Sequence, residues 1–163
     1  IQHYVSDRRV AETTALIPHP YPAGGALEWI RHSEVMRSEG WGVNLAILLR
    51  STRELVGVVG VVDRDMESTL GYWIGVPHWG NGYATEAIHR VIRHAFHSRG
   101  LPAIHACHFA HNPASGRVMQ KAGLLYQGVE PLGASRFGER FDRVCYGVTA
   151  AEWRAQLRTF SHP

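Results

Sequence analysis

The sequence predicts a mixed α+β domain: a mostly antiparallel sheet containing one parallel pair, flanked by helices. Three observations carry this. Val-rich, β-favouring runs separated by short polar turns occupy residues 43–76. At Ala84 the pattern changes to the helical period, with Ala84, Ala87, Ile88, Val91, Ile92, Ala95 and Phe96 on one face. Another β-favouring run, Ala103 to Ala110, follows that helix, and a strand–helix–strand crossover makes a parallel pair.

The elements follow in order. The opening segment, Ile1 to Ala15, has few large apolar residues, and the prolines of Pro18-His19-Pro20-Tyr21-Pro22 make an extended connector. Ala26, Trp29, Ile30 and Ser33 recur at helical spacing, predicting a helix to Ser38 that Gly40 ends. Strands are expected at Val43–Arg50, Glu54–Val62 and Thr69–Val76, with turns at Ser51-Thr52-Arg53 and Asp63-Arg64-Asp65. Pro77 stops the third, because it has no N–H to donate. The amphipathic helix from Ala84 closes at Gly100 and Pro102. Asn112-Pro113 opens another helix, with Asn112 as cap and Pro113 in its first turn, and Gly123 ends it. A short strand at Tyr126–Val129, a polar loop at Ser135–Asp142 and a strand at Arg143–Val148 follow. Thr149 caps a terminal helix bearing Trp153 and Leu157.

The 163 residues suit a single domain spanning 1–163. The longest dense apolar run, Leu55–Val62, is too short to cross a bilayer, and no secretory signal opens the chain. The net charge is +3 and Lys121 is the only lysine. The arginines are scattered, without the clustered stripe that tracks a nucleic-acid backbone, so a nucleic-acid partner is not expected. Cys107 and Cys145 are far apart and lack CxxC spacing, which argues against a disulfide scaffold or structural zinc site; each reads as a buried strand thiol in a reducing cytoplasm. Of the eleven histidines, neighbours among His105, His108 and His111 point to opposite strand faces, and His94 and His97 lack a third ligand. No metal is expected.

The chemically informative stretch is Leu70–Val76, the break at Pro77, and the loop from Trp79 to Thr85. Gly80 and Gly82 let the backbone turn tightly and approach a ligand closely. The helix that follows leaves its first N–H groups without intrahelical partners, an anion site suited to a pyrophosphate. A Rossmann fingerprint fits poorly, since the third glycine is missing and the preceding strand ends a meander. No Lys follows Gly82, which excludes a Walker loop.

These residues, Gly71-Tyr72-Trp73-Ile74-Gly75 and then Trp79-Gly80-Asn81-Gly82-Tyr83-Ala84-Thr85-Glu86-Ala87, resemble the GNAT N-acetyltransferase superfamily, specifically its RimJ/RimL-like branch. Asn112 to Leu124, with Tyr126 and Gly128 beyond, resembles the family's second motif, and Pro18–Ile30 resembles the branch's N-terminal region. The resemblance implies acetyl-CoA as co-substrate and a parallel pair splayed near Val76, with a β-bulge exposing backbone groups. The pantetheine arm would pair with Ile74 and Val76, and the pyrophosphate would take the amides around Asn81, Gly82, Tyr83, Ala84 and Thr85. Trp79 stands where the family commonly has Arg or Gln, a departure this branch tolerates. The family fold usually begins with a strand and helix ahead of the Pro18 region. Either native residues precede Ile1 or this member has a reduced N-terminus.

The implied reaction is attack of an amine on the thioester. A backbone N–H of Gly75 or Val76 would hold the oxyanion. Many relatives protonate the sulfur with a Tyr where this chain has Met119, so Ser115 is the candidate acid; Asn112 and Ser115 resemble residues placed beside the cofactor. The base is open among Glu130, Glu67 and a water relay, with Glu130 first. Tyr72, Trp73 and Trp29 are candidates for the acceptor pocket and, equally, for the core. The acceptor would be a small-molecule amine or a peptide, with a homodimer as the default assembly. The competing reading is a non-catalytic acetyl-CoA-binding module.

Overall fold

A computed structural model describes residues 1–64 and 67–159. The chain forms two short helices, α1 (Gln2–Val5) and α2 (Arg8–Glu12), then α3 (Gly25–Ser38), β1 (Gly42–Leu48), β2 (Leu55–Arg64), β3 (Glu67–Ile74), a 3-10 turn (Val76–His78), α4 (Tyr83–His97), β4 (Ala103–Phe109), α5 (Pro113–Lys121), β5 (Leu125–Arg136), β6 (Glu139–Thr149) and α6 (Ala150–Thr159). The six strands form one sheet in the order β1-β2-β3-β4-β6-β5. All neighbours are antiparallel except β3 and β4. The expected mixed, mostly antiparallel sheet with flanking helices is what the chain builds.

Why these elements form is legible locally. β2 is buried along Val56–Val61, a run typical of a central strand covered on both faces. The apolar stripe of α4 buries Ala84, Ile88, Val91, Ile92, Ala95 and Phe96. It meets Val59, Val61 and Leu70 of the meander, Ile104 and Ala106 of β4, Met119 of α5 and Trp153 of α6 in one core. Thr149 and Glu152 bond reciprocally: each backbone N–H donates to the other's side-chain oxygen, a capping box that starts α6.

The central seam is the functional feature of the sheet. β3 pairs with β2 at every position from Glu67 to Ile74, yet pairs with β4 only at Thr69↔His105. Beyond that point the two parallel strands part, giving the splayed pair that the resemblance implied. The expected β-bulge is absent from β3, whose register with β2 is unbroken. Pro77 and the 3-10 turn, instead of a bulge, end the strand at the mouth of the gap.

Other expectations need correction. β5 does not stop at Val129: it resumes after an irregular step between Glu130 and Ala134, where Pro131 cannot donate to a ladder. The expected loop over Ser135–Asp142 is a tight hairpin, turning at Phe137 and Gly138 with φ of 50° and 82°. Arg64 pairs with Glu67, and the expected turn residue Asp65 lies outside the described residues. Cys107 and Cys145 are not separate thiols. β4 and β6 place them directly opposite, Cα atoms 4.2 Å apart, and their sulfurs are bonded. A 38-residue separation conceals that register, and the argument from free thiols to a reducing compartment falls with it.

Candidate active site

Two helices begin at the gap between β3 and β4, and the start of α4 is the more open. Its N-cap, Gly82, is left-handed at φ 80°, Gly80 is likewise at φ 79°, and no side chain caps the helix. An added Cβ at either glycine would meet nothing within 4 Å. Backbone handedness, not crowding by the protein, therefore demands glycine here. Glu86 N–H is the first to find an intrahelical carbonyl, that of Gly82. The earlier amides, Tyr83, Ala84 and Thr85, lie where an anion can take them.

The loop before α4 is held from both ends. Trp79 donates its indole N–H to Ile74 O at 2.7 Å, and Asn81 Nδ2 donates to the carbonyls of His78 and Trp79. Trp79 thus stiffens the loop instead of offering a charge. Tyr4 of α1 packs on Gly75, and its hydroxyl lies 2.8 Å from His78 Nε2 and 3.3 Å from Glu54 Oε1. That clasp ties the N-terminal helix to the turn preceding the glycines.

Along β3 the backbone alternates between its two flanks. Gly75 N–H donates to Val56 O of β2 at 2.8 Å, so the amide and carbonyl groups of Tyr72 and Ile74 point the other way, into the gap. The Gly75 amide is consequently not free to hold an oxyanion. Val76 keeps that candidacy, its amide having no partner among the described residues. Of the two Ile74 groups, the carbonyl already accepts Trp79.

α5 crosses toward the same gap. Asn112 accepts a hydrogen bond from Ser115 N–H, so this predicted cofactor contact also serves as the helix cap. Ser115 Oγ lies 2.5 Å from the Tyr72 hydroxyl, a contact spanning 43 residues of sequence that links α5 to β3. Burial pushes the Tyr72 phenol up to about 12, against a smaller opposing effect of the Ser115 hydrogen bond. The pairing escaped sequence reasoning, which could treat Tyr72 only as an aromatic of core or pocket. His108 was weighed only as a metal ligand. It is buried on β4, with Nδ1 donating to Phe109 O at 2.8 Å, because a carbonyl can only accept. Among the described residues its Nε2 has no hydrogen-bond partner, and it lies where a Cβ on Gly116 would come within 2.7 Å.

The base candidates fare differently. Glu130 is half exposed and held by Arg143 at 2.6 Å and 2.9 Å, with Cys145 Sγ 3.6 Å away. Glu67 begins β3, about 23 Å from Ile74 at the rise of an extended strand, which removes it from the site. Met119 is buried in the core. Among the described residues, the metal-sized grouping of Cys, Glu and His side chains is Cys107, Glu130 and Cys145, whose sulfurs are bonded to each other. Among those residues no helix is long and apolar enough to cross a membrane.

Beside the start of α4 runs an open cavity of about 650 Å³, lined by Gly82, Thr85, Glu86, His89, Arg90, Arg93 and Lys121. Its three fixed cations were scattered in sequence; helical spacing and the end of α5 bring them together.

Comparison with known proteins agrees with this geometry. A family model described as an acetyltransferase (GNAT) domain matches residues 1–125. An uncharacterized N-acetyltransferase of Bacillus subtilis strain 168, YoaA, is 31% identical over 126 residues, covering 76% of this chain and 71% of its own. Among solved structures, the ribosomal-protein-S5-alanine acetyltransferase of Vibrio fischeri superposes with a TM-score of 0.81 at 17% identity, covering 94% of this chain and 87% of that one. The microcin C7 self-immunity acetyltransferase, solved with acetyl-CoA and AMP, gives 0.79 at 18% identity, covering 91% and 84%. An uncapped, glycine-led helix at a parted parallel pair, within a chain matched this widely, places the protein in the GNAT acetyltransferase family, whose shared chemistry is acetyl transfer from acetyl-CoA.

Proposed function

We propose that this chain acetylates a primary amine, on a small molecule or a peptide, by direct attack on the thioester of acetyl-CoA. The observation that carries this is the uncapped start of α4 at the mouth of the β3–β4 gap. The pyrophosphate takes the amides around Asn81 to Thr85, in the field of the helix dipole. Arg90, Arg93 and Lys121 supply positive charge along the neighbouring cavity for the remaining phosphate of CoA. The pantetheine arm adds to β3 as an extra strand, using backbone groups of Tyr72 and Ile74 that face the gap.

At the far end of that arm the amine attacks the carbonyl, and the Val76 N–H holds the oxyanion. A single such donor is worth roughly 10²–10³ in kcat in other acyl-transfer enzymes. Holding amine and thioester together supplies much of the remaining acceleration. Glu130, held in place by Arg143, is the first carboxylate to test as base. The RimJ/RimL-like branch remains the affiliation supported by the glycine loop and the Asn112–Ser115 pair. A neighbour named for a ribosomal-protein alanine shows the same fold serving a peptide amine. Dependence on acetyl-CoA is what supports a cytoplasmic location.

The test is a thiol-release assay with acetyl-CoA across a library of amines and peptides, followed by mass spectrometry of the products. Acceptor-dependent release with a mass gain of one acetyl group is expected. Tight acetyl-CoA binding with no release on any acceptor makes the chain a binding module and overturns the enzymatic reading.

A further inference from the structure

We propose that Tyr72 and Ser115 form a chain of two hydroxyls, in which Tyr72 donates to Ser115 Oγ and so turns the Ser115 hydrogen onto the thiolate of departing CoA. Tyr72 is in that sense a positioning residue, acting on the sulfur through Ser115. The inference rests on the acetyl-CoA reading and deepens it at one atom.

Three independent features place the pair. Strand alternation puts Tyr72 on the same face of β3 as Leu70, which packs in the core beneath α4 and α5. The Thr69↔His105 pairing ends the β3–β4 ladder three residues before Tyr72, so the phenol stands where the strands have parted. Ser115 stands in the first turn of α5, fixed by the Asn112 cap, and meets the phenol at 2.5 Å. The Ser115 carbonyl, 3.3 Å from the Tyr72 hydroxyl, is a second and longer acceptor for the same hydrogen, and the 2.5 Å contact to Ser115 Oγ is the shorter of the two. Hence the contact is tertiary, not a local helix-terminal bond.

Chemistry decides what such a pair can do. A free thiol titrates near 8.5, whereas Tyr72 is pushed up to about 12 and a serine hydroxyl is no stronger an acid. Moving a proton from Tyr72 to the thiolate is uphill by roughly three units, or about a thousandfold. Neither hydroxyl therefore acts as the acid that the family resemblance suggested for Ser115. Each keeps its proton and lends it as a hydrogen bond, which is strong because the acceptor is charged. The atoms balance without them. The C–N bond forms, the C–S bond breaks with its electron pair on sulfur, and the proton lost by the amine is the one that finally protonates CoA through solvent.

Direction follows from the same need. A thiolate offers only acceptor capacity, so a Ser115 hydrogen bonded to it points at sulfur and leaves Ser115 Oγ able to accept from the hydroxyl 2.5 Å away. Tyr72, neutral at every working pH, is that donor. The N-terminal dipole of α5 adds to the same stabilisation and is left intact by changes at either hydroxyl.

The experiment is titration of the thiol of CoA bound to the protein, followed by thiolate absorbance in the ultraviolet. It needs no acceptor. In the wild type the bound thiol is expected to titrate below free CoA. Tyr72→Phe, which keeps the ring, and Ser115→Ala, at a half-exposed helical position, should each lower the thiolate fraction at fixed pH by roughly tenfold. The double variant should lose no more than either alone, because the two groups act in series. A Tyr72→Phe protein that titrates like the wild type, or effects that add in full, overturns the chain of hydroxyls. CoA bound with a lowered thiol, but no transfer to any amine, sinks the enzymatic reading and leaves the pair standing. A protein that binds no CoA removes both. With a competent acceptor, Tyr72→Phe should lower kcat while leaving KM for acetyl-CoA in place.

Discussion

The starts of α4 and α5 face one gap and are finished in opposite ways. At α5 the chain completes its own helix: Asn112 caps Ser115 N–H, and Pro113 removes a donor that would otherwise be orphaned. At α4 nothing does so; a left-handed glycine leads into bare amides. A glycine N-cap in place of Ser, Thr, Asn or Asp costs a helix about a few tenths of a kcal/mol. α3 also starts from a left-handed glycine, Gly24, but there Gln2 Oε1 accepts from Ala26 N–H, and Asp7, Asn112 and Thr149 cap α2, α5 and α6. On the acetyl-CoA reading proposed above, α4 is the end left open for a ligand and α5 the end that positions a side chain.

That contrast can be broken at either helix. The largest effect belongs to Gly82→Glu. The protein leaves room for the new side chain, so its carboxylate would occupy the anion site itself. Acetyl-CoA affinity by calorimetry should fall at least about a hundredfold, or roughly 2.7 kcal/mol; unchanged binding would refute the loop assignment. Next comes the burial of Tyr72, which raises its phenol against the smaller opposing effect of the Ser115 bond. Tyr72 titrates near 10 in the unfolded chain and about 12 in the folded one, so its contribution is complete below pH 10. It is lost as pH rises from 10 to 12, by about 2–3 kcal/mol. Denaturant melts across that window should show this slope in the wild type and a shallower one in Tyr72→Phe. Smaller still, Asn112→Ala should cost about 1 kcal/mol of stability in denaturant melts, through the lost cap on Ser115 N–H. Thr149→Ala, which breaks the capping box of α6 far from the gap, should cost about 0.5–1 kcal/mol and leave kcat alone.

Much of the fold was written locally. The period of Ala84 to Phe96 gave α4 to within a residue, and the valines of 55–62 gave the central strand. Gly80 and Gly82 were legible as a tight turn into a helix because a left-handed backbone is a property of residue type. What the sequence hid was register. Cys107 and Cys145 lie opposite only because β6 inserts between β4 and β5, and no spacing rule encodes that choice. Pro131 and Gly133 made β5 read as finished when the pairing merely skipped. Likewise Tyr72 and Ser115 meet through the crossing of α5 over a parted seam, a tertiary fact with no one-dimensional signature. The choice of oxyanion candidate turns on the same thing: strand pairing engages the Gly75 amide, while that of Val76 has no partner among the described residues.

The two strands that bound the gap are each secured from their outer sides. β3 is zipped to β2 over its whole length, and β4 to β6 from Ala103 to Phe109, with a covalent cross-link midway. Neither wall can swing without tearing a ladder. If the thioester binds there as proposed, it meets a preformed slot and needs no hinge to open, so shaping costs little of its affinity and capture is a matter of alignment.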